Sequence, residues 1–203
     1  ERVFERARAF SGDLSDWDVR NVTNMRAMFR DARAFNGDLS RWKVGNVTTM
    51  EHMFFDAAAF NGNLRLWKVG AVTNMRGMFR YASDFNGDLK DWDVRRVTDM
   101  LVMFMGAIAF NGDLRLWEVG AVTDMKYMFY DATAFNGDLS LWDVRAVTDM
   151  TKMFEGAVAY APAHALGSRA AWLTTPEFPD LYGGPNPTLA RAEGGGNGDA
   201  AVV

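Results

Sequence analysis

Three residue types recur in this chain at a spacing that could support chemistry. Carboxylates stand at Asp13, Asp38, Asp88, Asp113 and Asp138, each after an Asn-Gly or Ser-Gly pair and in one register of a twenty-five-residue period. Stacked into a column, such carboxylates could bridge calcium, a cation that seeks oxygen ligands. Calcium-binding β-helix repeats, however, have a much shorter period and more oxygen ligands. Asn63 fills the same register in the third copy. An amide keeps a hydrogen bond to the backbone of a turn but is a weak metal ligand, so the column reads as turn chemistry.

Tryptophans recur in the same way, at Trp17, Trp42, Trp67, Trp92, Trp117 and Trp142. An exposed row would be a platform for sugar rings. A buried row would be a core ladder, each ring worth roughly 1.5–3 kcal/mol or more. The ordinary burial of large aromatic rings favours the core. A threonine column from Thr23 to Thr148 suggests an ice-binding array, but such a surface needs flat, paired threonines, and here each reads as the N-cap of a helix. Catalysis has little to work with. The histidines are His52 and His164 alone and there is no cysteine, so no nucleophile and base pair up. The reading is of a protein that is not an enzyme and that needs no metal or cofactor.

These residues belong to one stretch, seen from Phe110 to Ala134 as FNGDLRLWEVGAVTDMKYMFYDATA. It is written six times without insertion or deletion, beginning at Phe10, Phe35, Phe60, Phe85, Phe110 and Phe135. A repeat of this period signals an array in which each copy packs mainly on its neighbours. In the second half of a copy, Met25, Met28, Phe29 and Ala32 fall at i, i+3, i+4 and i+7. That spacing predicts a helix of about ten residues starting just after the threonine. In the first half, Trp17 and Val19 alternate, which predicts a short strand between Asp13 and Val19. Alternating helices and parallel strands make an α/β solenoid. Strands stack about 4.8 Å apart and helices roughly 8–10 Å, so the array should curve with its strands on the concave side.

At Tyr160 the pattern starts again and fails, with Ala161 and Pro162 replacing Asn and Gly. All five prolines lie beyond that point. The expected organisation is a repeat solenoid over residues 1–172, with Ser168 to Leu173 capping the end through Trp172, and a Pro/Gly-rich tail or linker over 173–203. Val3, Phe4 and Ala7 match the end of a preceding copy, so Glu1 reads as an internal residue of a longer protein.

The chain is 49% hydrophobic and 24% charged, the balance of a globular protein. Its formal charge of -4 divides as +1 over residues 1–9, -3 over 10–159 and -2 over the remainder. No segment has the basic excess that nucleic acid demands. The longest apolar run, Met100 to Phe110, falls short of the ~20 residues of a membrane span.

The core F-N-G-D-L-x-x-W-x-V-x-x-V-T-x-M-x-x-M-F-x-x-A, present over residues 3–160, resembles the BspA-like surface-protein repeat, a relative of leucine-rich repeats. The resemblance implies a leucine-rich-repeat-like fold, a role in adhesion or protein recognition, and a place at the cell surface or among secreted proteins. The family carries no catalytic residues to transfer.

In a repeat protein, recognition is expected where the copies differ. Copy four carries Leu101, Val102, Met105 and Ile108 where copy one has Arg26, Ala27, Arg30 and Arg33, and Tyr127 and Tyr130 continue the apolar surface into copy five. A second group, Leu66, Leu116 and Leu141, stands beside the tryptophans where Asp16, Arg41 and Asp91 occur in other copies. Exposed apolar groups of this kind mark partner sites. The expected partner is a protein of unknown identity, with a carbohydrate as the alternative.

Overall fold

The computed structural model describes residues 1–160. The expected cap around Trp172 and the segment 173–203 lie outside the described residues. Within them the chain runs as a succession of tight turns, and the six copies lie directly against one another. Each copy turns at Leu14 to Trp17, at Val19 to Val22 and at Ala32 to Phe35 or their counterparts, where the last residue's N-H donates to the first residue's carbonyl at 2.8–3.2 Å.

The segment expected to be helical is built differently. Among the described residues there is no α-helix. From Met25 to Ala32 the backbone amides alternate between two kinds of partner. Those of Met25, Ala27, Phe29 and Asp31 donate to the carbonyls of Thr49, Glu51, Met53 and Phe55 in the next copy, at 2.7–3.0 Å. Those of Met28, Arg30 and Ala32 donate three residues back, to Met25, Ala27 and Phe29. The Arg26 N-H donates to the Asn24 side chain at 2.9 Å, so every amide in the run has a partner, as buried backbone requires, yet none uses the i→i-4 bond of an α-helix.

The cause is the sign of φ. Ala27 and Asp31 sit at φ +51° and +57°, and the same two registers are left-handed at His52 and Asp56, Gly77 and Tyr81, Val102 and Gly106, and Tyr127 and Asp131. A positive φ at the third residue is the geometry of a type II turn and incompatible with a right-handed helix. Helix-like spacing correctly places Met25, Met28, Phe29 and Ala32 on one buried side, but it is equally the spacing of linked turns.

The threonines also change role. Thr48 donates both its N-H, at 2.8 Å, and its hydroxyl, at 3.1 Å, to the carbonyl of Thr23 in the copy before, and the column repeats this through Thr148. It joins copies instead of capping a helix. Beside it run parallel bridges from Asn24 to Thr49, Asn74, Asp99, Asp124 and Asp149 in turn. The parallel pairing therefore falls after the threonine, not between Asp13 and Val19. With no helix layer in the described residues, the spacing mismatch that would curve the array is missing.

The core is a set of ring stacks running through the copies. Phe29, Phe54, Phe79, Phe104, Phe129 and Phe154 stack with centroids 5.5–5.6 Å apart. Within each copy that ring also lies 3.9–4.1 Å from the phenylalanine that opens the next one, as Phe79 does from Phe85. The tryptophans from Trp42 to Trp142 stack at 6.4–6.5 Å with planes within 3° of parallel. Each of these indole N-H groups donates to a leucine carbonyl of the preceding copy, Trp92 to Leu64 for example, at 2.9–3.0 Å. The polar tip that usually makes tryptophan costly to bury is thus satisfied in copies two to six.

Candidate functional site

The constant columns leave little surface for chemistry. Trp42, Trp67, Trp92, Trp117 and Trp142 are 1–3% exposed, so they offer no platform for a sugar ring. Trp17, in the first coil, is 44% exposed. In the aspartate column, Asp38 Oδ1 accepts from the Ser40 N-H at 2.8 Å, and Asp13, Asp88, Asp113 and Asp138 do the same two residues on. Asn63 accepts from Arg65 at 3.1 Å in the identical geometry. This bond to the backbone holds the Asp13 and Asp38 carboxyls below the usual carboxylate range. Among the described residues, no three His, Cys, Asp or Glu side chains are grouped to hold a metal ion. His52 is half-buried against Phe55, and burial depresses its pKa. His164 lies outside the described residues.

Charge on the surface is arranged locally. Arg20, Arg95 and Arg145 each grip the aspartate two residues before them, with Nη2 to Oδ2 distances of 2.7, 2.8 and 2.6 Å. These bonds hold Asp18, Asp93 and Asp143 down at about 2. A carboxylate whose folded pKa is depressed supports folding above its unfolded value and loses that support as pH falls through the folded one. The three pairs should therefore leave the melting temperature unaffected from neutral pH down to about 4 and lower it between about 4 and 2. Asp99 acts in the opposite sense, because burial pushes its carboxyl up. Asn24 and Asn74 occupy the same register and accept the same turn bond, from Arg26 and Arg76 at 2.9 Å. Asp99→Asn should thus raise the melting temperature at pH 7, where the aspartate is ionised at a cost, and leave it unchanged near pH 3. Parallel melts of the two proteins at both pH values check this.

The variable registers build a groove across copies three to six. It encloses about 740 Å³ and is lined by Leu101, Val102 and Met105 of copy four and by Tyr127 and Tyr130 of copy five. Arg80 and Tyr81 of copy three, Lys126 and Asp131 of copy five, and Lys152 of copy six complete it. The tight turns bring these residues together, because residues one period apart lie side by side. Val102 is 8% exposed and left-handed at φ +51°, an unfavourable region for a β-branched residue. Leu101, Met105, Tyr127 and Tyr130 are half-buried. The Tyr127 and Tyr130 rings meet edge to face at 5.6 Å. The nearby Asp131 and Glu155 carboxylates raise the Tyr130 phenol. Ile108 is 49% exposed but does not line the groove.

The second group is divided. Leu116 and Leu141, 68% and 60% exposed, share a smaller depression of about 340 Å³ beside Trp117 and Val119. Leu66 stands apart from them, because Asp91 takes its register in copy four and pairs with Arg65 at 2.9 Å. Sequence reasoning missed the polar rim of the main groove, Arg80, Tyr81, Lys126, Asp131 and Lys152. The signal was present. Arg80, Met105 and Tyr130 share one register, as do Val102, Tyr127 and Lys152, and comparison by register would have joined them.

Stacked copies held by recurring backbone and ring contacts define a repeat protein whose variable face carries a groove. The profile of the family described as "Mycoplasma protein of unknown function, DUF285" matches residues 1–74 and 63–165. The chain belongs to that family. No curated protein matches it. No helix among the described residues is long and apolar enough to cross a membrane.

Proposed function

We propose that the chain is a non-catalytic scaffold for protein recognition or cell-surface adhesion, a solenoid of stacked coils akin to the BspA-like relatives of leucine-rich repeats. The observation that carries this reading is the groove at Leu101, Val102, Met105, Tyr127 and Tyr130, where copies four and five supply apolar and aromatic side chains and copies three and six add Arg80, Tyr81 and Lys152. Aromatic and methionine side chains together with an arginine in the lining match the residue types enriched at protein interfaces. Ile108 and the Leu116 and Leu141 pair are exposed apolar side chains outside that groove, and Leu66 stands apart from the pair. The carbohydrate reading drew its support from a row of tryptophans, and those of copies two to six are buried.

The test uses beads coated with the chain and surfaces coated with extracellular proteins. Adhesion should survive enzymatic deglycosylation of the surface, fail after its proteolysis, and be lost in Leu101→Glu/Met105→Glu with no change in melting temperature. Loss of adhesion on deglycosylation would favour the carbohydrate reading. Unfolding of the double variant would show that these half-buried side chains belong to the core.

A further inference from the structure

The groove also gathers cations in a chain that is acidic as a whole. The whole carries -4, yet Arg80, Lys126 and Lys152 line the groove against one carboxylate, Asp131. Lys126 and Lys152 have carboxylates nearby, Asp149 at 3.6 Å and Glu155 at 3.0 Å. Arg80 is different. Its guanidinium lies 5.2 Å from the Phe55 ring centre and 4.9 Å from that of Tyr81, and its Nη2 is 3.4 Å from the Tyr81 hydroxyl. Among the described residues it pairs with no carboxylate, and its buried Nε has no hydrogen-bond partner.

An arginine ordered between two rings and lacking an anion presents a preorganised planar fork to a carboxylate. We propose that the groove receives a short peptide segment in which an acidic side chain stands beside a large apolar one. The carboxylate meets Arg80, and the apolar side chain enters among Leu101, Val102 and Met105. This rests on the protein-recognition reading and names the class of partner. A volume of about 740 Å³ is that of a cleft for a small ligand, within the usual ~300–1,000 Å³, and so suits a few residues and not a whole folded surface. A nucleic acid is disfavoured, since its phosphates would have to approach an array that carries -3 over residues 10–159.

The experiment is fluorescence anisotropy on the full chain with three labelled hexapeptides: Gly-Glu-Phe-Glu-Leu-Gly, its glutamine counterpart and its lysine counterpart. The acidic peptide should bind, weaken as salt is raised, and bind at least about tenfold better than the glutamine peptide. Arg80→Gln should cost about the same factor and Lys126→Gln less, with melting temperatures measured for both. Equal binding of the three peptides, or unchanged affinity in Arg80→Gln, would overturn the acidic class. Loss of that binding in Leu101→Glu/Met105→Glu would at the same time leave the groove itself as the docking site. Absence of binding would also overturn the proposal. So would binding seen only in Glu177→Lys/Asp180→Lys, which would assign the groove to the chain's own Glu-Phe-Pro-Asp sequence at 177–180.

Discussion

Trp92→Ala should lower the unfolding free energy by about 3–5 kcal/mol, the usual cost of removing a buried aromatic ring. Trp92 is 3% exposed, its ring lies between Trp67 and Trp117 at 6.5 and 6.4 Å, and its N-H donates to the Leu64 carbonyl at 3.0 Å. Truncation leaves a cavity in the middle of the ladder and removes one of the two hydrogen bonds that the Leu64 carbonyl accepts, the other coming from the Trp67 N-H at 3.0 Å. Because each copy is stabilised mainly by its neighbours, a defect in copy four also weakens coupling between the two halves of the array. Trp17→Ala, at a ring that is 44% exposed, should cost markedly less. Denaturant unfolding of the two variants measures the difference, and equal costs would mean that the ladder is not the core of the fold.

The second large effect lies at a glycine. A methyl group on Gly87 would come within 2.9 Å of the Phe85 ring and 3.5 Å of the Gly62 carbonyl. The ring has no room to retreat, since it is fully buried and stacks on Phe79 at 3.9 Å and on Phe60 and Phe110 at about 6 Å. Gly87→Ala should therefore cost about 1–3 kcal/mol, as overpacked cores do. Gly45 is the control. A methyl group there meets nothing within 4 Å, so Gly45→Ala should be neutral or stabilise by about 0.4–1 kcal/mol through the unfolded chain. Opposite signs for one substitution at two glycines would tie the Phe-x-Gly part of the repeat to close packing and not to chain flexibility.

The burial pattern was legible in the sequence and the backbone path was not. Met25, Met28, Phe29 and Ala32 do share one buried side, because periodicity reports which side chains face together. It does not report the sign of φ. The left-handed registers hold Ala27, His52, Val102, Tyr127 and Lys152, none of which announces a turn as glycine does. The hint lay in the exceptions, Gly77, Gly106 and Gly156, together with the aspartates at 31, 56 and 131. Reading the threonine as a cap followed from expecting a helix. Without one, its hydroxyl and amide both turn to the neighbouring copy.

The site was half legible. Its apolar floor stood out in the sequence because Leu101, Val102 and Met105 break a polar register. Arg80 and Lys152 did not stand out, because charged residues are ordinary in the variable positions. They matter only because the turns bring copies three to six into one groove. The separation of Leu66 from Leu116 and Leu141 was hidden for a related reason, the Arg65 to Asp91 pair between copies three and four.

Division of the chain into constant columns that join copies and variable registers that bind depends on hydrogen bonds between copies. The most direct test is nuclear magnetic resonance detection of couplings across individual hydrogen bonds at Phe79. The stacked-turn structure predicts that the Phe79 N-H couples to the carbonyl of Met103 in the next copy, which accepts it at 2.9 Å. Coupling to the carbonyl of Met75, four residues back in the same copy, would be the signature of an α-helix and would contradict it.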